Sequence, residues 1–219
     1  MSVLIIGGTS GLGLELAKTY AKNDTNVYVT GRRDVDEASI HSLKLDLTSK
    51  SLREDIVSII DNVGDIDMLV FCAGYYQEGS TSDLEYSEID EMIQVGATAP
   101  VYTLKAVLDR QDKLDTFVMV TSTSAWTPRE LEPVYNLVKA GEAHFANGVA
   151  EDPKVSKVLV AGPAGMATNF WEGQGRDMSE MNDPADVARA IDENIQDDYS
   201  FRSVRILREP FRVEKVDER

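Results

Sequence analysis

The sequence predicts an α/β domain: a doubly wound parallel sheet of about seven strands, with helices on both faces. Strand-like apolar runs alternate with longer segments whose apolar residues recur at helical spacing. Those runs are continuously apolar, as strands covered on both faces are. The 219 residues, 42% of them hydrophobic, show no internal repeat, linker or low-complexity tract, so a single domain over 1–219 is expected.

In order, "VLIIGG" (3–8) is the first strand, and "LGLELAKTYAKN" (12–23) the first helix, with Leu12, Leu16, Ala17 and Tyr20 as its stripe. Strands follow at 26–31 and 41–47. A helix over 51–63 carries Leu52, Ile56, Ile59, Ile60 and Val63. The fourth strand is "DMLVFCAG" (67–74). Residues 87–110 form one long helix that Pro100 bends. The fifth strand is 115–123, the helix after it 134–152, and the sixth strand 154–163. A helix over 183–195 starts with an Asp cap and Pro184 at its first position. "SVRILRE" (203–209) is the last strand. The irregular stretch 164–182, rich in Gly, Met and aromatics, follows a strand's carboxyl end, where open α/β sheets bind ligands, and is the expected substrate loop.

Composition excludes several classes. Twenty-two basic against 38 acidic residues give a net charge of −16, which repels nucleic acid and anionic membrane surfaces. The acidity reads as a solubility feature rather than adaptation to a salty cytoplasm. No apolar run approaches the roughly 20 residues of a membrane span. The amino-terminal run lacks the marks of a signal peptide. One cysteine, Cys72, leaves no intramolecular disulfide framework and suits a reducing cytoplasm. His41 and His144 are far apart in sequence and read as surface residues, and no metal cluster is visible.

"GGTSGLG" (7–13) closes the first strand and opens the first helix. Gly7, Gly11 and Gly13 allow a tight turn and close approach of a pyrophosphate to backbone N–H groups at a positive helix end. Thr9 and Ser10 add hydroxyls. The alternative is a plain strand–helix turn. The second strand ends in "TGRRD", where an NAD site would want an acidic residue for the ribose hydroxyl. Gly31 leaves room instead, and Arg32 and Arg33 supply charge for a 2′-phosphate, which favours NADP(H) over NAD(H). The alternative is a solvated Arg pair balanced by Asp34 and Asp36.

Ser122 ends the fifth strand and precedes Tyr135 by 13 residues in "YNLVK" (135–139). With the glycine pattern at 7–13, Asp46, "CAG" (72–74) and "GPAGMAT" (162–168), these elements run in one order over nearly the whole chain. In this the chain resembles the short-chain dehydrogenase/reductase family, in its single-domain oxidoreductase branch. The resemblance implies a Rossmann-type fold and Ser122, Tyr135 and Lys139 as the catalytic set. It also implies cofactor contacts from Gly7, Thr9, Ser10, Gly11, Leu12, Gly13, Arg32 and Arg33 through Asp46 and Leu47 at the adenine and Cys72, Ala73 and Gly74 at the ribose. Tyr135 and Lys139 would touch the cofactor too, and Pro163, Met166 and Thr168 would meet the nicotinamide. The chemistry can be argued without the name. Carbonyl reduction needs a proton for the developing alkoxide, and a phenol near pKa ~10 gives one more readily with a cation beside it. Lys139, one helical turn on, can be that cation.

The chain departs from the pattern. Gly96 stands where the family has an Asn that holds a water in the proton path from the lysine. Backbone and water would then suffice, or Thr98 or Gln94 would substitute, or relay would be slow. Ile6 replaces a Thr, Cys72 an Asn and Ala164 a Gly. Tyr75, Tyr76, Trp126, Phe170 and Trp171 follow strand ends or lie in the loop, so Tyr75, Trp126, Phe170 and Trp171 are expected to meet an apolar or ring-bearing carbonyl or alcohol. These rings could equally cover the cofactor or pack a subunit contact. Small residues Ala140, Ala143, Ala146 and Gly148 permit close helix packing, and the resemblance implies a homodimer or homotetramer. The expected function is an NADP(H)-preferring carbonyl/alcohol oxidoreductase, with a non-catalytic NADP(H) sensor of the same fold as the rival. A longer-branch sugar-nucleotide epimerase is disfavoured by length and glycine spacing.

Overall fold

The computed structural model describes residues 1–22 and 25–219. Eight strands form one sheet: β1 (Ser2–Ile6), β2 (Asn26–Gly31), β3 (Ile40–Lys44), β4 (Met68–Phe71), β5 (Leu114–Val120), β6 (Val155–Pro163), β7 (Phe201–Leu207) and β8 (Arg212–Glu218). Their order is β3-β2-β1-β4-β5-β6-β7-β8, parallel throughout except for β8. The order reverses between β1 and β4, which opens a crevice at the strands' carboxyl ends.

Alternation along β1 divides the core. Val3 and Ile5 face α1 (Gly11–Ala21) and α6 (Pro184–Ile195), and the predicted stripe of Leu12, Leu16, Ala17 and Tyr20 closes on them. Leu4 and Ile6 face the other layer: α2 (Leu52–Val63), α4 (Ala99–Arg110) and α5 (Pro133–Val149). The first helix was expected to reach residue 23, which lies outside the described residues. Asp183 caps α6 as expected, accepting from Ala185 N at 2.8 Å, with Pro184 in its first turn. His41 and His144 are exposed. Among the described residues, no helix is long and apolar enough to cross a membrane.

Two elements differ from expectation. The single helix over 87–110 is three: α3 (Tyr86–Ile93), a π turn (Gln94–Thr98) and α4. Pro100 has no N–H to give and its ring crowds the carbonyl four residues back, so the turn before it widens. The Ala99 N–H accordingly bonds to Gln94 O, five residues back. The second difference is β8, an antiparallel edge strand that the sequence hides. Its Val213 pairs with Ile206, but a bulge skips Val216, so the two valines fall three apart and the period of two is lost.

Candidate active site

The carboxyl ends of β1, β2, β4, β5 and β6 surround a cavity of about 450 Å³. Every residue expected to touch cofactor lines it, from Gly7 through Thr168, as do Ser122, Tyr75, Phe170 and Trp171. At one end the chain leaves β1 with Gly7 at φ +82°, and Gly7 N and Gly8 N both donate to Thr30 O. A β-carbon at Gly7 would stand 2.6 Å from Ala73 Cα, so this position admits nothing larger. The first turn of α1 contains no acidic residue and Ser10 makes no side-chain cap, so its leading N–H groups face the cavity without an internal acceptor. Such a helix end fits a phosphate.

Arg32 and Arg33 follow β2, exposed at the cavity's rim. Among the described residues neither forms an ion pair, while Asp34 pairs with Lys44 at 3.8 Å. The balancing expected from Asp34 is therefore directed elsewhere. Asp46 Oδ1 accepts from Thr48 N (2.9 Å) and Oγ1 (2.8 Å), and these bonds, with Arg32 nearby, hold its carboxyl below the usual range. Gln94 donates to Leu47 O (3.0 Å) and Ser49 O (2.9 Å), which ties down this loop. Its amide is thus committed to the loop after β3 and does not substitute for the side chain absent at Gly96.

At the other end α5 presents Tyr135 and Lys139 on one face, with Lys139 Nζ 5.6 Å from the phenol ring's centre. Ser122, after β5, accepts from Ser124 N at 3.1 Å, donates to Ser124 Oγ at 3.2 Å, and lies against Tyr135. Tyr135 is 7% exposed and Lys139 3%. Behind Lys139 stands a residue that sequence reasoning missed. Glu142, 2% exposed, takes Lys139 Nζ on both carboxylate oxygens, at 3.0 and 2.9 Å. The signal was available: a Glu three residues after a Lys, on the buried face of one helix.

This arrangement corrects a simple expectation about charge. Burial pushes the Tyr135 phenol up; Lys139 and Ser122 pull it down, while Glu142 and Glu132 push it further up, and the net direction is upward. For Lys139, burial works against the ammonium, but Glu142, Tyr135 and Cys72 outweigh it and the pKa is raised. Burial likewise raises Glu142, to about 7, against the pull of Lys139.

The wall beside Tyr135 is aromatic. Tyr76 is buried edge-on to Tyr135 at 5.0 Å, and Phe170 and Trp171 stand 6.1 and 5.4 Å from Tyr76. Loop 164–182 is closed at its base by Ala167 N to Asn182 O and Asn182 N to Gly165 O, both 3.0 Å. Trp126 is a correction: it does not line the cavity. Its ring covers Gly162, where a β-carbon would come within 2.1 Å, and Arg205 lies 5.1 Å above it. Sequence reasoning also passed over a charged cluster at the cavity wall. Buried Glu132 holds Ser124 (3.0 Å), Arg129 (3.3 Å) and Tyr76 (3.3 Å), and Arg129 also donates to Ser124 Oγ.

Comparison with known proteins bears on the family and the fold. A family model described as short chain dehydrogenase matches residues 1–179. An uncharacterized oxidoreductase of Staphylococcus haemolyticus is 25% identical over 205 residues, 86% of this chain and 87% of its own. A solved short chain dehydrogenase/reductase family protein superposes with a TM-score of 0.82 at 20% identity, covering 94% of this chain and 95% of that one. BdcA, in complex with NADPH, does so at 0.79 and 20% identity, covering 93% and 92%. At such identities the superpositions speak for the fold. The family match extends from β1 past Lys139 into the 164–182 loop, and on that ground the chain belongs to the short chain dehydrogenase family and is an oxidoreductase.

Proposed function

We propose that the chain is an NADP(H)-preferring enzyme that interconverts a carbonyl and an alcohol, with Tyr135 as acid/base and residues 164–182 as its substrate loop. The observation that carries the reading is one cavity joining two ends: the helix terminus with Arg32 and Arg33, and the Ser122–Tyr135–Lys139 group. Arg32 and Arg33 hold the 2′-phosphate, which sets the preference for NADP(H). The relative BdcA, solved with NADPH, supports that choice.

Bound NADPH supplies the hydride. The chain's own residues manage the proton, the charge and the exclusion of water. Tyr135 Oη gives its proton to the substrate oxygen as that oxygen gains charge, and takes one back in the reverse direction. Ser122, whose hydroxyl can turn from Ser124, donates a hydrogen bond to the same oxygen. Lys139 stabilises the resulting tyrosinate electrostatically. Phe170, Trp171 and Tyr75 make the wall apolar, which suits a ring-bearing or otherwise apolar substrate. A second reading, NADP(H) binding without turnover, draws on Gly96 and on the upward displacement of the Tyr135 pKa.

NADPH consumption against aldehydes, ketones, dicarbonyls and quinones, with Tyr135→Phe alongside, tests the proposal. Turnover abolished by Tyr135→Phe with NADPH binding retained is the expected result. Turnover that survives the substitution overturns the role of Tyr135. Tight NADPH binding with no turnover across the panel favours the second reading.

A further inference from the structure

Gly96 and Glu142 share one space. A β-carbon at Gly96 would stand 2.2 Å from Val138 Cγ1 and 2.9 Å from Glu142 Oε1. The π turn carries Gly96 against α5 at the level of Lys139, and the space its missing side chain leaves is shared by the Val138 methyl and the Glu142 carboxylate. The pair it forms is closed to solvent: the Lys139 and Glu142 side chains are 4% and 0% exposed. Glu142 has no other hydrogen-bonding partner among the described residues.

A buried ion pair is not retained for stability alone, since desolvating two charges offsets most of their attraction. It does serve to keep a charge where burial would remove it. A lysine buried without an acid loses its proton readily. The ionisable groups facing Lys139 are Glu142 and Tyr135 from its own helix and Cys72 from the end of β4. The π turn contributes only Gly96 and Val95. Tyr135 and Cys72 are neutral when protonated, so Glu142 is the one anion in the set.

We propose that Glu142 is a positioning residue that fixes Lys139 in place and keeps it protonated, in the space Gly96 leaves open. The role rests on the proposed acid/base reading, because Lys139 matters as a cation only if Tyr135 exchanges a proton. It also explains why Gly96 is compatible with that chemistry: a larger residue would displace the carboxylate from the ammonium.

The test follows the Lys139 side chain by NMR in protein labelled with 13C at the lysine ε-carbon, its signal assigned through Lys139→Arg. In the wild-type protein the signal is expected to keep its ammonium shift to about pH 10. In Glu142→Gln its midpoint is expected to fall by at least about one pH unit, because the opposite charge is gone. Glu142→Asp, which keeps the charge but withdraws it by one methylene, is expected to fall by less, and it decides the matter if the Gln variant does not fold. An unchanged or raised midpoint overturns the proposal, since a purely structural carboxylate would leave the titration where it was. The titration needs no substrate. A protein without turnover can therefore still pass it, and an active one can fail it, so the two proposals fall separately.

Discussion

Thr9 and Gly31 meet at the glycine-loop end of the cavity: a β-carbon on Gly31 would stand 2.0 Å from Thr9 Oγ1 and 2.8 Å from its Cγ2. Thr9 belongs to the loop between β1 and α1, and Gly31 is the last residue of β2. The contact thus locks the glycine loop to the strand end that delivers Arg32 and Arg33. Neither residue can be enlarged without moving the other.

Gly31→Ala is expected to push Thr9 aside and weaken NADPH binding by about tenfold, the scale of one lost hydrogen bond to a charged group. The Gly31 φ is not in the left-handed region, so the added methyl brings no backbone strain. The fold should stay intact. Fluorescence titration of NADPH checks this, with Thr9→Ala and the double variant alongside. Coupling is expected: the double variant should bind less weakly than the sum of the two single losses predicts, and strict additivity would show the two positions to be independent.

Arg32→Ala and Arg33→Ala bear on cofactor choice. Each is expected to raise the Kd for NADPH by about ten- to a hundredfold, since the lost contact is charge-assisted. NADH binding should change by less than about threefold, because its adenosine ribose carries no 2′-phosphate. Added salt should weaken NADPH more than NADH in the wild-type protein and erase the difference in the variants. Equal losses for both cofactors would place the arginines outside phosphate recognition.

Much of this was legible in the sequence because the signals were local. The apolar runs of β1, β4, β5 and β6 lie in the sheet, and the glycine loop, "RRD", "CAG" and "YNLVK" all arrive at one cavity. What escaped was cooperative. The valines of β8 lost their period to a bulge, and the bend expected at Pro100 became a π turn spread over the five residues before α4. Trp126 follows a strand end like Tyr75, but its ring turns onto Gly162 of β6, a contact that local sequence does not encode. Glu142 was within reach by helical spacing, yet its meaning depends on Gly96, 46 residues earlier in sequence.

Cys72 yields a prediction from electrostatics. It lines the cavity, partly exposed there and near Lys139, which favours the thiolate, but its withdrawal from bulk water outweighs that and pushes the thiol from 9.0 to about 12. At pH 8 the native thiolate fraction is then about one in ten thousand, against about one in ten for the unfolded chain. The scarcer thiolate is also the more nucleophilic one, so reaction with a disulfide reagent such as DTNB should be about tenfold to a hundredfold slower in native protein than in denaturant. The sign for stability follows: the fold favours the protonated thiol, so its contribution is present below pH 9 and is lost as pH rises toward 12. Rapid native labelling at pH 8 would contradict the assignment.

Arg176 ties the 164–182 loop to the body of the protein. Its guanidinium donates to Tyr76 Oη at 2.6 Å, meets Glu78 at 3.0 Å and Glu132 at 3.9 Å, and lies 4.8 Å over the Trp171 ring. The side chain is 30% exposed, so each ion pair contributes little, about 1 kcal/mol or less, and the stacking adds about as much. Its removal should therefore loosen the loop without unfolding the domain. Arg176→Met is expected to raise the KM for a carbonyl substrate by about fivefold to tenfold, with the Kd for NADPH changed by less than about twofold. Proteolysis within 169–178 should accelerate. Arg176→Lys should not restore the wild-type KM, because a single ammonium cannot bridge Tyr76 and Glu78 while covering Trp171 as a planar fork does. If Lys does restore it, charge alone holds the loop. If the KM stays fixed while proteolysis rises, the loop closes over something other than the substrate.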